Sequence, residues 1–118
     1  MTAKEINFAF EMVSAIALAC PEGYTVDRNT FEPIKKGWSV AVEATQKCFG
    51  PAGLAKVIAY MNNHPEIPAF GGWYNKKDGN FYFDATMVIE DKQRAIYLGK
   101  LNKQDAIYNT ETGDTVWL

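Results

Sequence analysis

Metal-ligating side chains of the soft kind are scarce in this chain. His64 is its one histidine, and Cys20 and Cys48 are its two cysteines. A closed zinc site takes four nitrogen or sulfur ligands, so a self-contained one is excluded. The cysteines form no C-x-x-C pair, and their spacing cannot show whether they meet. They read as two buried, reduced thiols of a cytoplasmic protein. Charge of one sign is also lacking: 12 basic residues stand against 14 acidic ones, a net of −2. A duplex-DNA or RNA binder normally carries a basic surface, so duplex nucleic acid is not the expected partner. No apolar run reaches the roughly 20 residues that span a bilayer. The longest candidate, Met12 to Cys20, reads as a buried helix. Glu5 and Glu11 precede it where a secretory leader needs positive charge, and Pro21-Glu22-Gly23 is no cleavage site. Neither membrane insertion nor a leader is expected.

Nucleotide-binding signatures are missing too. Gly71-Gly72 is followed by no Lys-Ser/Thr, and no G-x-G-x-x-G occurs. Asp84, Glu90 and Asp91 lie close in sequence, as carboxylates for acid–base work or a hard cation would. They lack calcium-loop spacing, however, and Asp91 is accounted for as a helix cap. No cofactor or metal is expected.

What is present is the pattern of a folded α+β domain covering residues 1–118. Hydrophobic residues make up 47% of the chain and charged ones 22%, which excludes wholesale disorder. Thr2-Ala3-Lys4-Glu5 is a capping box. Ile6, Ala9, Phe10, Val13, Ile16, Ala17 and Cys20 then recur at helical spacing. Only Asn7, Glu11 and Ser14 make a polar stripe. The first helix is therefore expected to bury most of its circumference, within the domain or against a second copy in a homodimer. Tyr24-Thr25-Val26 is a short strand. A second runs from Trp38 to Thr45, with Trp38, Val40 and Val42 alternating. Gly50-Pro51 opens a second helix with Leu54, Val57, Ile58 and Met61 on its apolar face. Asp78-Gly79 is a hairpin turn between two aromatic-rich arms. Phe81, Phe83, Ala85, Met87 and Ile89 share one face of the second arm; Tyr82, Asp84, Thr86 and Val88 share the solvent face. Asp91 caps a third helix whose inward residues are Ala95, Leu98 and Leu101. A last hairpin turns at Thr110–Asp114. The expected order is α-β-β-α-β-β-α-β-β, with antiparallel hairpins and three helices.

Several residues carry candidate chemistry. Cys48 precedes a helix N-terminus, where a thiolate can be stabilised, and equally fits as an apolar filler. His64 ends a helix, where the C-terminal dipole suits it. Trp73, Tyr74, Tyr82 and Asp84, with Lys76 in the turn, form the expected binding set. Stacked rings beside lysines resemble a single-strand platform, but the RNP-type motif is absent. Exposed rings would instead suit a protein or small-molecule partner.

Certain stretches also resemble a small domain of bacteriophage and mobile-element accessory proteins, which occurs alone or within large polyvalent proteins. They are Gly23-Tyr24-Thr25-Val26-Asp27, Gly37-x-x-Val40-Ala41, Gly71-Gly72-Trp73-Tyr74, Asp78-Gly79-Asn80-Phe81-Tyr82-Phe83-Asp84, the helix with Asp91, Ala95 and Gly99, Asn102-x-Gln104-x-Ala106-Ile107 and Asn109-x-Glu111-Thr112-Gly113. The likeness spans about four-fifths of the chain; where the pattern often has Asp before the final turn, this chain has Asn109. It implies the context of an accessory protein of a phage or integrated element, and the domain it resembles has no established enzymatic activity. The first expectation is accordingly a non-catalytic binding protein that inhibits a host defence factor of the CRISPR or restriction kind, with a host or phage protein as partner. The second is a module that sequesters a nucleotide-like small molecule. The third is a small enzyme using Cys48, His64 or Asp84.

Overall fold

The computed structural model describes residues 1–118. Helix α1 spans Ala3–Ala19, strand β1 Tyr24–Asp27 and β2 Trp38–Ala41. After a short 3-10 turn at Glu43–Thr45 come α2 (Gly50–Asn63), β3 (Ala69–Asn75), β4 (Asn80–Ile89), α3 (Lys92–Leu101), β5 (Ala106–Asn109) and β6 (Thr115–Trp117). The six strands form one antiparallel sheet in the order β1-β3-β4-β2-β5-β6. The expected α+β class and element order hold.

The β3–β4 hairpin is the centre of the sheet. Its register runs from Ala69 opposite Thr86 to Asn75 opposite Asn80. The turn closes with the Gly79 N–H donating to the Asn75 carbonyl at 2.8 Å, and Gly79 takes φ +74°, a region glycine occupies without penalty. Strand β1 adds to the outer edge of β3, and β2 adds to the other side, along β4. Alternation along the strands then sorts the side chains. Val26, Phe70, Phe83 and Ala85 face α1 and α2, while Trp38, Val40 and Ile107 face Ala95 of α3. All three helices therefore cover one face of the sheet. The opposite face carries Thr25, Ser39, Ala41, Gly71, Trp73, Tyr82, Asp84, Thr86 and Tyr108.

The capping box of α1 forms as expected. The Glu5 N–H donates to Thr2 Oγ1 at 3.1 Å, and the Thr2 N–H to Glu5 Oε1 at 2.9 Å. The helix does not bury most of its circumference. Ala9, Val13 and Ala17 are buried, Ile16 is half-buried, and Phe8 and Leu18 are 53% and 76% exposed. An outer helix lying on α2 and β3 meets neighbours along one stripe only. Three further expectations are corrected. The strand from Trp38 ends at Ala41, because the Thr45 hydroxyl turns back to the Val42 carbonyl while accepting from the Ala85 N–H. Leu101 is 60% exposed; Gly99, not Leu101, is the buried residue of the last turn of α3. Cys20 is half-buried, not buried, and both cysteines are free thiols.

The polar stretch after β1 is an anchor. Asp27 Oδ1 accepts from the Asn29 and Thr30 N–H groups, turning the chain back. Arg28 then donates to the carbonyls of Met61, His64 and Ile67 at 2.8–3.0 Å. One guanidinium thus binds three carbonyls at and beyond the C-terminus of α2, two of which also accept from backbone N–H groups. Phe31, near the end of the same turn, stacks on Phe70 and meets Phe8 edge-on.

Candidate functional site

The sheet is curled so that its helix-free face is concave. β1 and β2 are three places apart in the sheet, roughly 14 Å if it were flat. Yet the Thr25 hydroxyl donates to Ser39 Oγ at 3.2 Å. The hollow beside this contact is a groove of about 680 Å³. The end of α1 from Ile16 to Cys20, the start of β1, the chain from Phe31 to Ile34 and the Asn109–Gly113 turn make its rim. Thr110 pins that turn by donating its hydroxyl to the Gly37 carbonyl at 2.9 Å. Such a volume is within the range of small-molecule sites. A second hollow, of about 520 Å³, lies between α1 and the turn after β1, ringed by charges of both signs.

Asp84 lines the groove from β4, opposite Gly71 of β3. The alternation predicts a solvent face for it; the structure half-buries it in the groove. Its Oδ1 accepts from the Thr86 hydroxyl. Burial pushes its carboxyl up to about 6, against the lowering effect of that hydrogen bond. No cation offsets the charge: the chain's single ion pair joins Lys103 to Glu43, at 3.1 Å on the surface. Asp84 Oδ2 has no hydrogen bond within the chain and is not among the occluded polar atoms, so it reaches solvent. The carboxylate depends on Gly71. A Cβ there would meet the Thr86 hydroxyl and lie 2.6 Å from Asp84 Oδ1.

Tyr24 lies at the edge of the groove, but its ring turns to the helix side with Val26 and Phe70 and leans over Gly72. Its hydroxyl is occluded and has no hydrogen-bond partner. Desolvation, with the Asp84 charge as a smaller cause, raises its pKa and keeps it neutral. An unpaired buried hydroxyl is destabilising by about 1–3 kcal/mol. Trp73 and Tyr108 stand at the groove as walls, 42% and 47% exposed.

The expected binding set is divided by the fold. Trp73, Tyr82 and Asp84 share the open face, and Trp73 and Asp84 line the groove. Tyr82 stacks between Trp73 and Phe49, each 5.5 Å away, and gives its hydroxyl to Asp78 of the turn. Tyr74 faces the helix side and packs on Phe81 at 5.0 Å. Lys76 is exposed in the turn, outside the groove. Sequence reasoning missed Thr25, Ser39 and Tyr108, which only the curl of the sheet brings together.

Of the three candidate catalytic groups, Cys48 is buried in the helix layer, and desolvation raises its pKa. His64 is the C-cap of α2; its ring stacks on Tyr60 at 3.9 Å. Nδ1 lies 2.8 Å from the Tyr60 carbonyl, which can only accept, so Nδ1 carries the proton. No hydrogen bond joins Cys48, His64 and Asp84 to one another. No group of three or more His, Cys, Asp or Glu could hold a metal ion, and no helix is long and apolar enough to cross a membrane.

Compared with known proteins, the chain matches no family model, no curated protein and no solved structure.

Proposed function

We propose that the protein acts by binding, without turnover, and that it sequesters a small molecule in the groove of the curled sheet. The observation that carries this reading is the convergence of two aromatic walls and a half-buried carboxylate on one cavity of about 680 Å³. The setting we propose is the one the sequence resemblance implies: a cytoplasmic accessory protein of a phage or mobile element, withdrawing a host molecule from use. Nucleotide-like ligands rank lower than the sequence suggests, because Lys76 and Lys77 are not at the groove.

A second reading, inhibition of a host protein by direct contact, is favoured by the ring row Phe49–Tyr82–Trp73 on the same face. Phe49 and Trp73 are both more than two-fifths exposed, and exposed rings commonly anchor interfaces. A fragment screen followed by amide chemical shifts separates the two. Sequestration is expected to move the signals of Thr25, Ser39, Gly71 and Thr110, and to be weakened by Trp73→Ala but not by Phe49→Ala. Fragments that move only the signals around Phe49, or none at all, would overturn the small-molecule reading.

A further inference from the structure

We infer that the groove selects an organic cation: a protonated amine or guanidinium carried on a flat apolar body. The inference rests on the reading of the groove as a small-molecule site and names the chemistry of its ligand.

The charges of the lining are of one sign. Asp84 and Glu22 are its ionisable acids, and no lysine, arginine or histidine is among its residues. A phosphate or carboxylate ligand would meet Asp84 with no protein cation to offset the repulsion. A neutral apolar ligand would close the groove over the carboxylate and leave it charged and unpaired, which is strongly unfavourable. A cation resolves both problems. Asp84 is already half-organised to receive one: Oδ1 is held by Thr86, and Oδ2 is open to solvent. The walls suit the rest of such a molecule. Trp73 and Tyr108 offer ring faces, which attract cations and stack on flat bodies.

Protonation of Asp84 should switch the preference off. The other groups that sense its charge are Tyr24 on β1, Tyr108 on β5 and Cys48 ahead of α2. All three are raised above their ordinary values and stay neutral through the range in which Asp84 titrates. Glu22, at the rim, is the other acid of the groove, and His64 is not part of it.

The test uses three probes that share one ring system and chain: tryptamine (cationic), tryptophol (neutral) and indole-3-propionate (anionic). Each is titrated into the full chain, with amide shifts read at Gly71, Ser39 and Thr110. Tryptamine is expected to bind at least about tenfold more tightly than either partner at neutral pH. The advantage over tryptophol should vanish below pH ~5, as Asp84 takes up a proton, and in Asp84→Asn at every pH. The asparagine can still accept from Thr86, and the amide spectrum reports whether the variant is folded. The pH series on the unaltered chain probes the same charge independently of any substitution. Equal binding of all three probes in the groove overturns the cation assignment and leaves the groove a ligand site. A cation preference that survives both low pH and Asp84→Asn also overturns the assignment. Binding of none overturns it together with the sequestration reading.

Discussion

Thr25 and Ser39 touch across the open face of the sheet although two strands lie between them, their hydroxyl oxygens 3.2 Å apart. The contact joins one edge of the β3–β4 hairpin to the other and holds the sheet in its curl. Thr25→Val and Ser39→Ala, alone and combined, are expected to show a coupling of about 1 kcal/mol in a double-mutant cycle of urea unfolding. Strictly additive effects would mean that the two edges do not meet in solution.

Asp84 should make the protein less stable as pH rises. Its ordinary value is 3.8, and in the folded chain it is about 6. Between those values the unfolded chain has lost the proton that the folded chain keeps, so raising the pH favours unfolding. Below pH ~4 the carboxyl is neutral in both states and the penalty is absent; above pH ~6 it is fully present, at about 3 kcal/mol. Asp84→Asn is therefore expected to raise stability at pH 7 by up to about that amount, with the gain fading toward pH ~4. Urea midpoints of the two proteins across this range give the comparison. A constant difference at all pH values would show that Asp84 is not buried as a charge.

The guanidinium of Arg28 is the clasp between the turn after β1 and the end of α2. Arg28→Met keeps the apolar stem and removes three donors. A loss of about 2–3 kcal/mol is expected, since bonds from a charged donor are among the stronger ones and the carbonyls of Met61 and Ile67 lose partners. A change below about half a kcal/mol, typical of surface substitutions, would show that solvent replaces the clasp.

The local parts of this fold were legible in the sequence because their causes are local. The Thr2–Glu5 capping box, Pro51 at the start of α2, the Asp78-Gly79 turn and the Asp91 cap each act within a few residues. The parity of β4 was legible as well, and it placed Tyr82 and Asp84 together on one face. Whether that face is wet was not. Alternation says which way Asp84 points; the curl of the sheet and the loops at Ile34 and Thr110 decide that it is half-buried in a groove. Arg28 was equally silent, since its three acceptors are main-chain carbonyls 33 to 39 positions away. Leu101 misled for the reverse reason: helical spacing marks an apolar stripe, but not how much of it a neighbouring element reaches.

The strand order has a kinetic consequence. β1 and β2 follow one another along the chain, yet they dock on opposite sides of a hairpin made later in the sequence. The hairpin closes its own short loop and can serve as template, whereas both flanking strands must travel to it, and long-range pairing of this kind is slow. The groove exists only once both have arrived. It is thus expected to assemble late and to open early, with amides of β1 exchanging hydrogen before those of the Ala69–Asp84 ladder. A ligand that bridges the two sides would act as a brace on the least secured part of the sheet, slowing that exchange at β1 while leaving the hairpin's own rate unchanged.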